Sequence, residues 1–171
     1  KALSRLFQSN EKMIDYLSIP RERMKLLKTD RRWEHQFKKL SDVKVVLNEE
    51  IEVSDDDPIA VMSAKMVFQA FGRGFDFDTS LNLLDEEFTL EVIDISSYTK
   101  SRSRLMTLKG RVIGTEGKAK NIIETETETK ISIYGKTISI IGRFQNVDKA
   151  RDAIELLLSG RKHGTAFKFL G

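Results

Sequence analysis

The sequence predicts an α+β fold in which two small domains repeat the element order β-α-α-β-β-α. Three features predict it: short alternating strands bounded by turn residues, amphipathic helical segments between them, and the recurrence of this order in both halves of the chain. With 171 residues, 40% of them hydrophobic and 32% charged, the chain is long enough for two small folded domains and lacks a disordered composition.

The second half shows this order most clearly. Residues 118–127 carry Ala119, Ile122 and Ile123 at the spacing of one buried helical face. The elements that we predict here are a strand at 88–95, helices at 101–113 and 118–127, a strand through Ile131 and Ile133, a turn at Tyr134-Gly135-Lys136, a strand at 137–141, and a closing helix that Asn146 caps and Gly160 ends.

The first half repeats the order. Asp57 followed by Pro58 predicts the start of its last helix, because Asp caps helices and Pro is favoured at the first helical position. The elements that we predict are a strand at 13–19, helices at 21–27 and 32–40, hairpin strands at 43–47 and 51–54, and a helix that starts at Pro58 and ends at Gly72-Arg73.

Two domains follow from this repetition. We place the first at residues 1–80 and the second at 81–171, joined near 75–86. The first few residues are expected to be disordered. Because the chain begins at Lys1 rather than at Met, we also expect that a segment precedes it in the full protein.

The two halves differ in one loop. Lys44 begins the hairpin of the first half and Lys130 begins that of the second, an offset of 130 − 44 = 86 residues. At this offset, Lys28-Thr29-Asp30-Arg31 corresponds to Gly114-Thr115-Glu116-Gly117. No glycine precedes Gly72 in the sequence. The halves therefore share an architecture but not this loop.

The second loop, within its order of elements, resembles the KH domain of the first topological type, in which a Gly-x-x-Gly loop clamps about four single-stranded nucleotides. Glycine permits positive φ and lets a phosphate approach without a side chain in the way. The amides at the start of the helix at Lys118 favour an anion. Glu116 would repel phosphate, so we expect it to point to solvent. The first half is then a KH-like domain without the loop.

Basic residues surround this loop, although the net charge is only +3. Between Lys100 and Lys120 there are seven basic residues and one acid, Glu116, which is the distribution expected of a phosphate-binding face. The RNA contacts that we predict are Arg104, Lys109, Arg111, Ile113, Gly114, Thr115, Glu116, Gly117, Lys118 and Lys120. Ile113, Ile122 and Ile131 could each form a floor for bases or belong to the core, and the pattern leaves this open.

Four stretches carry a closer resemblance. They are the Pro-basic-Met segment Ile19-Pro20-Arg21-Glu22-Arg23-Met24, the helix end and Gly-Phe-Asp signature from Phe68 to Asp78, the run from Leu83-Leu84 into the strand that follows, and the loop with its flanks from Gly110 to Lys118. Together they resemble the archaeal and eukaryotic proteins of small-ribosomal-subunit assembly known as partner of Nob one. The Gly-Phe-Asp segment after a glycine-free KH-like half is the most discriminating stretch.

The resemblance implies that the second domain binds the 3′ end of small-subunit ribosomal RNA as a single strand. It implies two protein partners: an rRNA-processing endonuclease of the Nob-one type and, in archaea, the α subunit of translation initiation factor two. We expect a cytoplasmic location, or a nuclear and nucleolar one in a eukaryote. No apolar run approaches the roughly 20 residues that span a bilayer, so we expect no membrane partner.

Two other classes of function are alternatives to RNA binding. In an adaptor, RNA binding would be vestigial, and the basic first half with Trp33 would recruit a partner; Trp33 could also stack a base or lie in the core. In an enzyme, Asp55-Asp56-Asp57 would hold a metal, but its place before Pro58 favours a helix cap. With no cysteine, and with neither His35 nor His163 in a metal-ligand pattern, we expect no enzyme, metal or cofactor.

Overall fold

The structure, a computed structural model, describes residues 11–170. The expected disorder of the first few residues therefore concerns a segment outside the described residues. The first half folds in the predicted order β-α-α-β-β-α. Its elements are β1 (Met13–Leu17), α1 (Arg21–Thr29), α2 (Arg32–Lys38), β2 (Lys44–Leu47), β3 (Ile51–Asp55) and α3 (Pro58–Gly72).

A connecting segment, residues 73–87, joins the halves and contains helix α4 (Phe77–Leu81) and a 3-10 turn (Asn82–Leu84). The second half then repeats the order. Its elements are β4 (Phe88–Asp94), α5 (Arg102–Ile113), α6 (Lys118–Thr127), β5 (Lys130–Tyr134), β6 (Thr137–Arg143) and α7 (Phe144–Leu158), followed by a short helix α8 (His163–Phe167). The predicted α+β class and element order are confirmed in both halves, whereas the sequence patterns do not predict α4 or α8.

Each half contains one three-stranded antiparallel sheet in which the last strand lies in the middle, in the orders β1-β3-β2 and β4-β6-β5. Successive side chains of a strand point to opposite faces. This alternation places Ile51 and Val53 of β3, and Ile138 and Ile140 of β6, in the core between each sheet and its own helices, where all four are fully buried.

The helix starts test the predicted caps. Asp57 caps α3 as predicted, because its carboxylate accepts a hydrogen bond from the amide of Ile59 at 2.9 Å. The predicted cap at Asn146 is wrong: β6 runs directly into α7, which begins at Phe144 with Arg143 as its cap residue. None of the helices within residues 11–170 is long and apolar enough to cross a membrane.

Helix α3 packs on the first sheet on one side and faces the second half on another, mainly through the turn Asn82–Leu84. Val61 and Phe68 belong to the core of the first half. Val67 and Ala70, on the other side of the helix, share a buried cluster with Leu83 of the connecting segment and Ile141 of the second sheet. All of these side chains are buried, so α3 is apolar on two faces and serves as a common wall of both halves.

Hydrogen bonds fasten the end of α3 to strands β5 and β6. The Ser132 hydroxyl donates to the Arg73 carbonyl at 2.7 Å, and the Arg73 guanidinium donates to the Thr137 hydroxyl at 3.1 Å. Gly74 follows with φ +97°, and a Cβ there would lie 2.6 Å from Ser132 Oγ. Only glycine combines this positive φ with such a close approach, so the connecting segment begins pressed against the second half.

Candidate nucleic-acid interface

The glycine loop, residues 114–117, lies between α5 and α6 and has unusual backbone angles. Gly114 has φ +74° and ψ 175°, Glu116 has φ +54°, and Gly117 has φ +75°. The loop is held by the amide of Gly114, which donates to the Gly110 carbonyl at 2.8 Å, and by the amide of Gly117, which donates to the Gly114 carbonyl at 3.2 Å. Three of its four residues therefore occupy backbone regions that favour glycine.

The two glycines serve the loop differently. A Cβ at Gly114 would lie 2.6 Å from Ala119 Cβ and 2.7 Å from the Ala119 nitrogen, so the chain can pass the first turn of α6 only if this residue is glycine. A Cβ at Gly117 would meet no atom within 4 Å. Gly117 therefore leaves open space beside the start of α6.

Helix α6 begins without a side-chain cap, because Gly117 occupies the cap position. The Lys118 amide donates to the Thr115 carbonyl, whereas the next amides of the first turn have no side-chain cap and are available to an anion. Lys118 is exposed there. Lys120 lies on the neighbouring side of the helix and pairs with Glu124 at 3.0 Å. The start of α6 thus has the positive potential that the sequence pattern predicts.

A groove of about 500 Å³ runs beside the loop, between α5, α6, β5 and the connecting segment. Its apolar floor is formed by Ile113, Ile131 and Ile133. Ile113 is 37% exposed, and Ile131 is only 5% exposed and also belongs to the core. The full lining is Gly74, Phe75, Asp76, Thr79, Ile113, Lys120, Glu124, Lys130, Ile131, Ser132 and Ile133. Ile122 is 39% exposed but does not line this groove, so of the three isoleucines only Ile113 and Ile131 could form a floor for bases there.

The other predicted basic contacts lie elsewhere. The Arg111 guanidinium donates to the Leu157 carbonyl at 2.8 Å and to the Arg161 carbonyl, so it fastens the end of α7 to α5. Lys109 donates to the Gly135 carbonyl at 2.9 Å in the hairpin turn. Arg104 is in the first turn of α5, about 15 Å along the helix from the loop at 1.5 Å per residue. The structure therefore brings Ile113, the loop, Lys118 and Lys120 together, and leaves Arg104 and Arg111 apart from them.

The corresponding loop of the first half is closed by ion pairs. Asp30 and Arg31 have φ of −112° and −90°, so neither adopts the left-handed region. Arg32 forms hydrogen bonds with the Asp30 carboxylate, which lower the pKa of that carboxyl to about 2. Trp33 is buried and packs edge-on against Phe68, with 5.3 Å between the ring centroids. Its indole N–H donates to the Leu27 carbonyl at 2.9 Å. Trp33 is thus a core residue and cannot stack a base.

The carboxylates at 55–57 form a turn and a cap. Asp55 accepts a hydrogen bond from the amide of Asp57 at 2.9 Å, while Asp57 caps α3. Within the described part of the chain, no group of three or more His, Asp or Glu side chains is arranged to hold a metal ion.

Sequence reasoning missed one wall of the groove. Gly74, Phe75, Asp76 and Thr79 line it, and all four lie in the connecting segment. The Gly-Phe-Asp signature marks this segment in the sequence, and Asp76 followed by Thr79 has the spacing of a helix cap. Neither pattern predicts that the segment faces the second half, because this depends on contacts between residues far apart in sequence, such as those of Val67 and Ala70 with Ile141.

Comparisons with known proteins agree with this architecture. Residues 89–171 match the family model described as a eukaryotic type KH domain, KH-domain type I. A KH domain-containing protein of Methanocaldococcus jannaschii is 37% identical over 176 aligned positions, which cover 94% of this chain and 74% of that protein. The pre-rRNA-processing protein PNO1 of Candida glabrata is 35% identical over 115 positions, which cover 65% of this chain but only 43% of that protein.

Among solved structures, the chain is similar to one from the crystal structure of an a/eIF2alpha-aDim2p-rRNA complex from Pyrococcus horikoshii. The TM-score is 0.85 at 29% identity, and the match covers 96% of each chain. The match spans both halves and the connecting segment, so the tandem arrangement described above is that of a solved structure.

Proposed function

Because the chain belongs to the family of the pre-rRNA-processing protein PNO1 and its archaeal counterpart Dim2p, we propose that it binds the 3′ end of small-subunit ribosomal RNA as a single strand during ribosome assembly. The glycine loop of the second half is the binding site in this proposal. The observation that carries it is the juxtaposition of a loop with three positive φ angles, an uncapped helix start and an apolar groove. This is the arrangement that a KH domain needs to clamp about four nucleotides.

The parts of the site have separate roles. The phosphates pass over the glycine loop, where the open space beside Gly117 lets them reach the first amides of α6. Lys118 and Lys120 supply positive charge to this path. The bases turn away from the loop and lie on Ile113 and its neighbours in the floor. Arg111, whose donors already serve backbone carbonyls, supports the fold rather than the RNA.

The protein partners proposed are the α subunit of initiation factor two and an rRNA-processing endonuclease of the Nob-one type. The first is supported by the Pyrococcus horikoshii complex of a relative with that subunit and rRNA. The second rests on the family resemblance alone. We place these contacts on the first half, residues 1–80, as a domain separate from residues 81–171, because each half has its own sheet and core. The protein acts by binding, not catalysis, in the cytoplasm or, in a eukaryote, in the nucleus and nucleolus.

The test is fluorescence anisotropy with a labelled single-stranded RNA that copies the small-subunit rRNA 3′ end. A Thr115→Asp, Glu116→Asp variant should weaken binding at least tenfold, because added charge at the loop tip repels phosphate. Thr29→Asp is the matched control, since Thr29 occupies the corresponding position of the first half, where Asp30 already follows. We expect this control to bind like the unchanged protein.

Circular dichroism should show that both variants remain folded. RNA binding that is absent, or that is indifferent to the loop, would refute the proposal and favour the alternative of a protein–protein adaptor with vestigial RNA binding. Loss of binding in the Thr29→Asp control alone would place the RNA site on the first half and contradict the proposal.

A further inference from the structure

The groove beside the glycine loop is built from the second half and the connecting segment. The second half supplies the floor, and the connecting segment supplies one wall through Phe75, Asp76 and Thr79. Two contacts hold this wall in place. Ser132 donates to the Arg73 carbonyl, and the Arg23 guanidinium of α1 donates to the Phe75 carbonyl at 2.7 Å. The wall is therefore fixed before any ligand arrives.

The Asp76 carboxylate is held at this wall by its own helix. One carboxylate oxygen accepts a hydrogen bond from the Thr79 amide at 2.7 Å, and the other accepts one from the Thr79 hydroxyl at 3.0 Å. Each carboxylate oxygen can accept two hydrogen bonds, so each keeps one free position. Asp76 is thus an oriented hydrogen-bond acceptor that lines the groove.

The second acid of the groove strengthens this character. Glu124 lies in the lining, with its side chain 16% exposed, and it pairs with Lys120. Because Lys120 is engaged by Glu124, the other charges at this groove are Lys130 in the lining, Asp76, and the Arg23 guanidinium that interacts with Asp76. The Asp76 carboxylate disfavours a phosphate directly beside it, whereas the loop amides and Lys118 attract one. The groove therefore separates the two parts of a nucleotide: phosphate at the loop, base edge toward the connecting segment.

We propose that Asp76 selects the base that lies against the connecting segment, by accepting a hydrogen bond from an exocyclic amino group. Cytosine, adenine and guanine each carry such a group, whereas uracil carries none and presents a carbonyl oxygen where cytosine has its amino group, so uracil is disfavoured. This inference rests on the proposed RNA-binding function and adds a specificity-determining residue from outside the KH fold of the second half. One such contact discriminates against the wrong base by about tenfold.

The experiment compares cytidine and uridine, which differ at the 4-position, an amino group against a carbonyl oxygen, and at N3, which accepts a hydrogen bond in cytidine and carries a proton in uridine. The probes are a fluorescent cytidine octamer and eight versions in which a single uridine replaces each cytidine in turn. The unchanged protein should lose about tenfold in affinity when the uridine occupies one particular position. Asp76→Asn should reduce that loss to about twofold, because an amide offers both a donor and an acceptor, and Asn still caps α4.

The control is Asp78→Asn. It removes the same charge two residues away, where the side chain accepts a hydrogen bond from Gln36 and does not line the groove. Both variants lose one acid, so both should bind all octamers somewhat better, but only Asp76→Asn should change the ratio of cytidine to uridine affinity. The ratio is the readout, since a merely structural or long-range electrostatic effect leaves it unchanged.

The outcomes separate the two proposals. Loop-dependent binding with the same cytidine-to-uridine ratio in the unchanged protein and in Asp76→Asn would overturn the selection by Asp76 while leaving the RNA-binding function intact. Equal changes of the ratio in Asp76→Asn and Asp78→Asn would overturn it too. Absence of octamer binding, or binding insensitive to Thr115→Asp, Glu116→Asp, would overturn the proposed function and this inference with it.

Discussion

The two halves fold in the same order around equivalent sheets, yet their loops between the first two helices are opposites. The loop of the second half has two glycines, positive φ angles and an uncapped helix start. The loop of the first half has ordinary φ angles and the ion pairs Arg32–Asp30 and Arg31–Glu34. The fold therefore does not need the glycine loop. What the loop adds is an accessible backbone and unneutralised positive charge.

A second difference lies in the exposure of the aliphatic side chain just before each loop. At the offset that relates Lys44 to Lys130, Ile113 corresponds to Leu27, and Ile113 is 37% exposed whereas Leu27 is 2% exposed. Trp33, whose counterpart is the buried Ala119, lies in the core beside Phe68. The first half therefore buries at this corner the apolar surface that the second half exposes, so the same backbone can serve as a support or as a binding site.

The largest loss of stability should come from a substitution in helix α3, which both halves contact. Phe68→Ala deletes a fully buried ring of α3 that packs on Trp33 and Phe37, and should lower the free energy of unfolding by about 4 kcal/mol. Because the other face of α3 packs on the second sheet, we expect both halves to unfold in one transition. The check is urea unfolding followed by Trp33 fluorescence, which reports the first half, and by far-UV circular dichroism, which reports both.

Val67→Ala is the matched control on the opposite face of the same helix. It should cost about 2 kcal/mol, since it removes two buried methyl groups that face the second sheet. The fluorescence and circular dichroism transitions should again coincide. Transitions that separate in either variant would mean that the halves unfold independently and that α3 is not a common wall.

The second effect compares the two glycines of the loop. Gly114→Ala should cost about 3 kcal/mol, because its φ and ψ are open only to glycine and its Cβ would press against Ala119. Gly117→Ala should cost only about 1 kcal/mol, since the left-handed φ is its sole obstacle. Thermal or urea unfolding of both variants measures the difference. Equal costs would show that the close approach to α6 is relieved without strain.

The parts that local patterns predict are those whose causes are local. The alternation of β3, the Asp57 cap and the glycine loop all depend on residues within a few positions, and the structure has them where they were expected. Arg111 could not be placed in this way, because its partners are carbonyls about fifty residues later at the end of α7. The predicted cap at Asn146 was wrong for a related reason, because strand β6 runs directly into α7 and the helix begins earlier, at Phe144.

In the candidate site, too, only the residues of one continuous segment could be predicted from the sequence. The loop residues and Ile113 were predicted from one segment, and they do line up at the start of α6 and in the groove floor. Asp76 lines the groove because the connecting segment is held against the second half, by the Ser132 hydroxyl at the Arg73 carbonyl and by the buried cluster that Val67 and Ala70 share with Ile141. That contact depends on two surfaces far apart in sequence, and no periodicity within either half encodes which surface meets which.

The third prediction compares equivalent cations at the two loops. Lys118 stands at the start of α6 and Arg32 at the start of α2, but Arg32 is already paired with Asp30. Lys118→Ala should flatten the slope of log affinity against log salt concentration for single-stranded RNA by about 0.7, the release of one counterion. Arg32→Ala should leave the slope unchanged. Anisotropy titrations between 50 and 200 mM salt, that is over about a fourfold range, measure both.

Arg111→Ala sharpens the same comparison. Since the Arg111 guanidinium serves the Leu157 and Arg161 carbonyls, its loss should lower the melting temperature and leave the salt slope as it was. A slope flattened as much as in Lys118→Ala would return Arg111 to the phosphate path and would contradict the assignment made from its contacts.

The smallest effect concerns a hydrogen bond between the halves. The Tyr134 hydroxyl of β5 donates to the Glu22 carboxylate of α1, and this bond lowers the pKa of Glu22 below its ordinary 4.5 and raises the pKa of Tyr134 above its ordinary 10. The stabilisation by Glu22 is present above pH 4.5 and lost as pH falls through its lowered pKa. The stabilisation by Tyr134 is present below pH 10 and lost as pH rises through its raised pKa.

Tyr134→Phe should therefore lower the melting temperature slightly, and only inside this window. The expected profile is a small difference from the unchanged protein at neutral pH that disappears in acid below the pKa of Glu22. Tyr16→Phe, at an exposed position of β1, is the control and should show no such pH dependence. If the difference for Tyr134→Phe persists in acid after Glu22 has been protonated, the hydroxyl acts independently of the ionised carboxylate, which would contradict this assignment; ring packing against Arg23 and Arg73 is common to Tyr and Phe and cannot account for the difference.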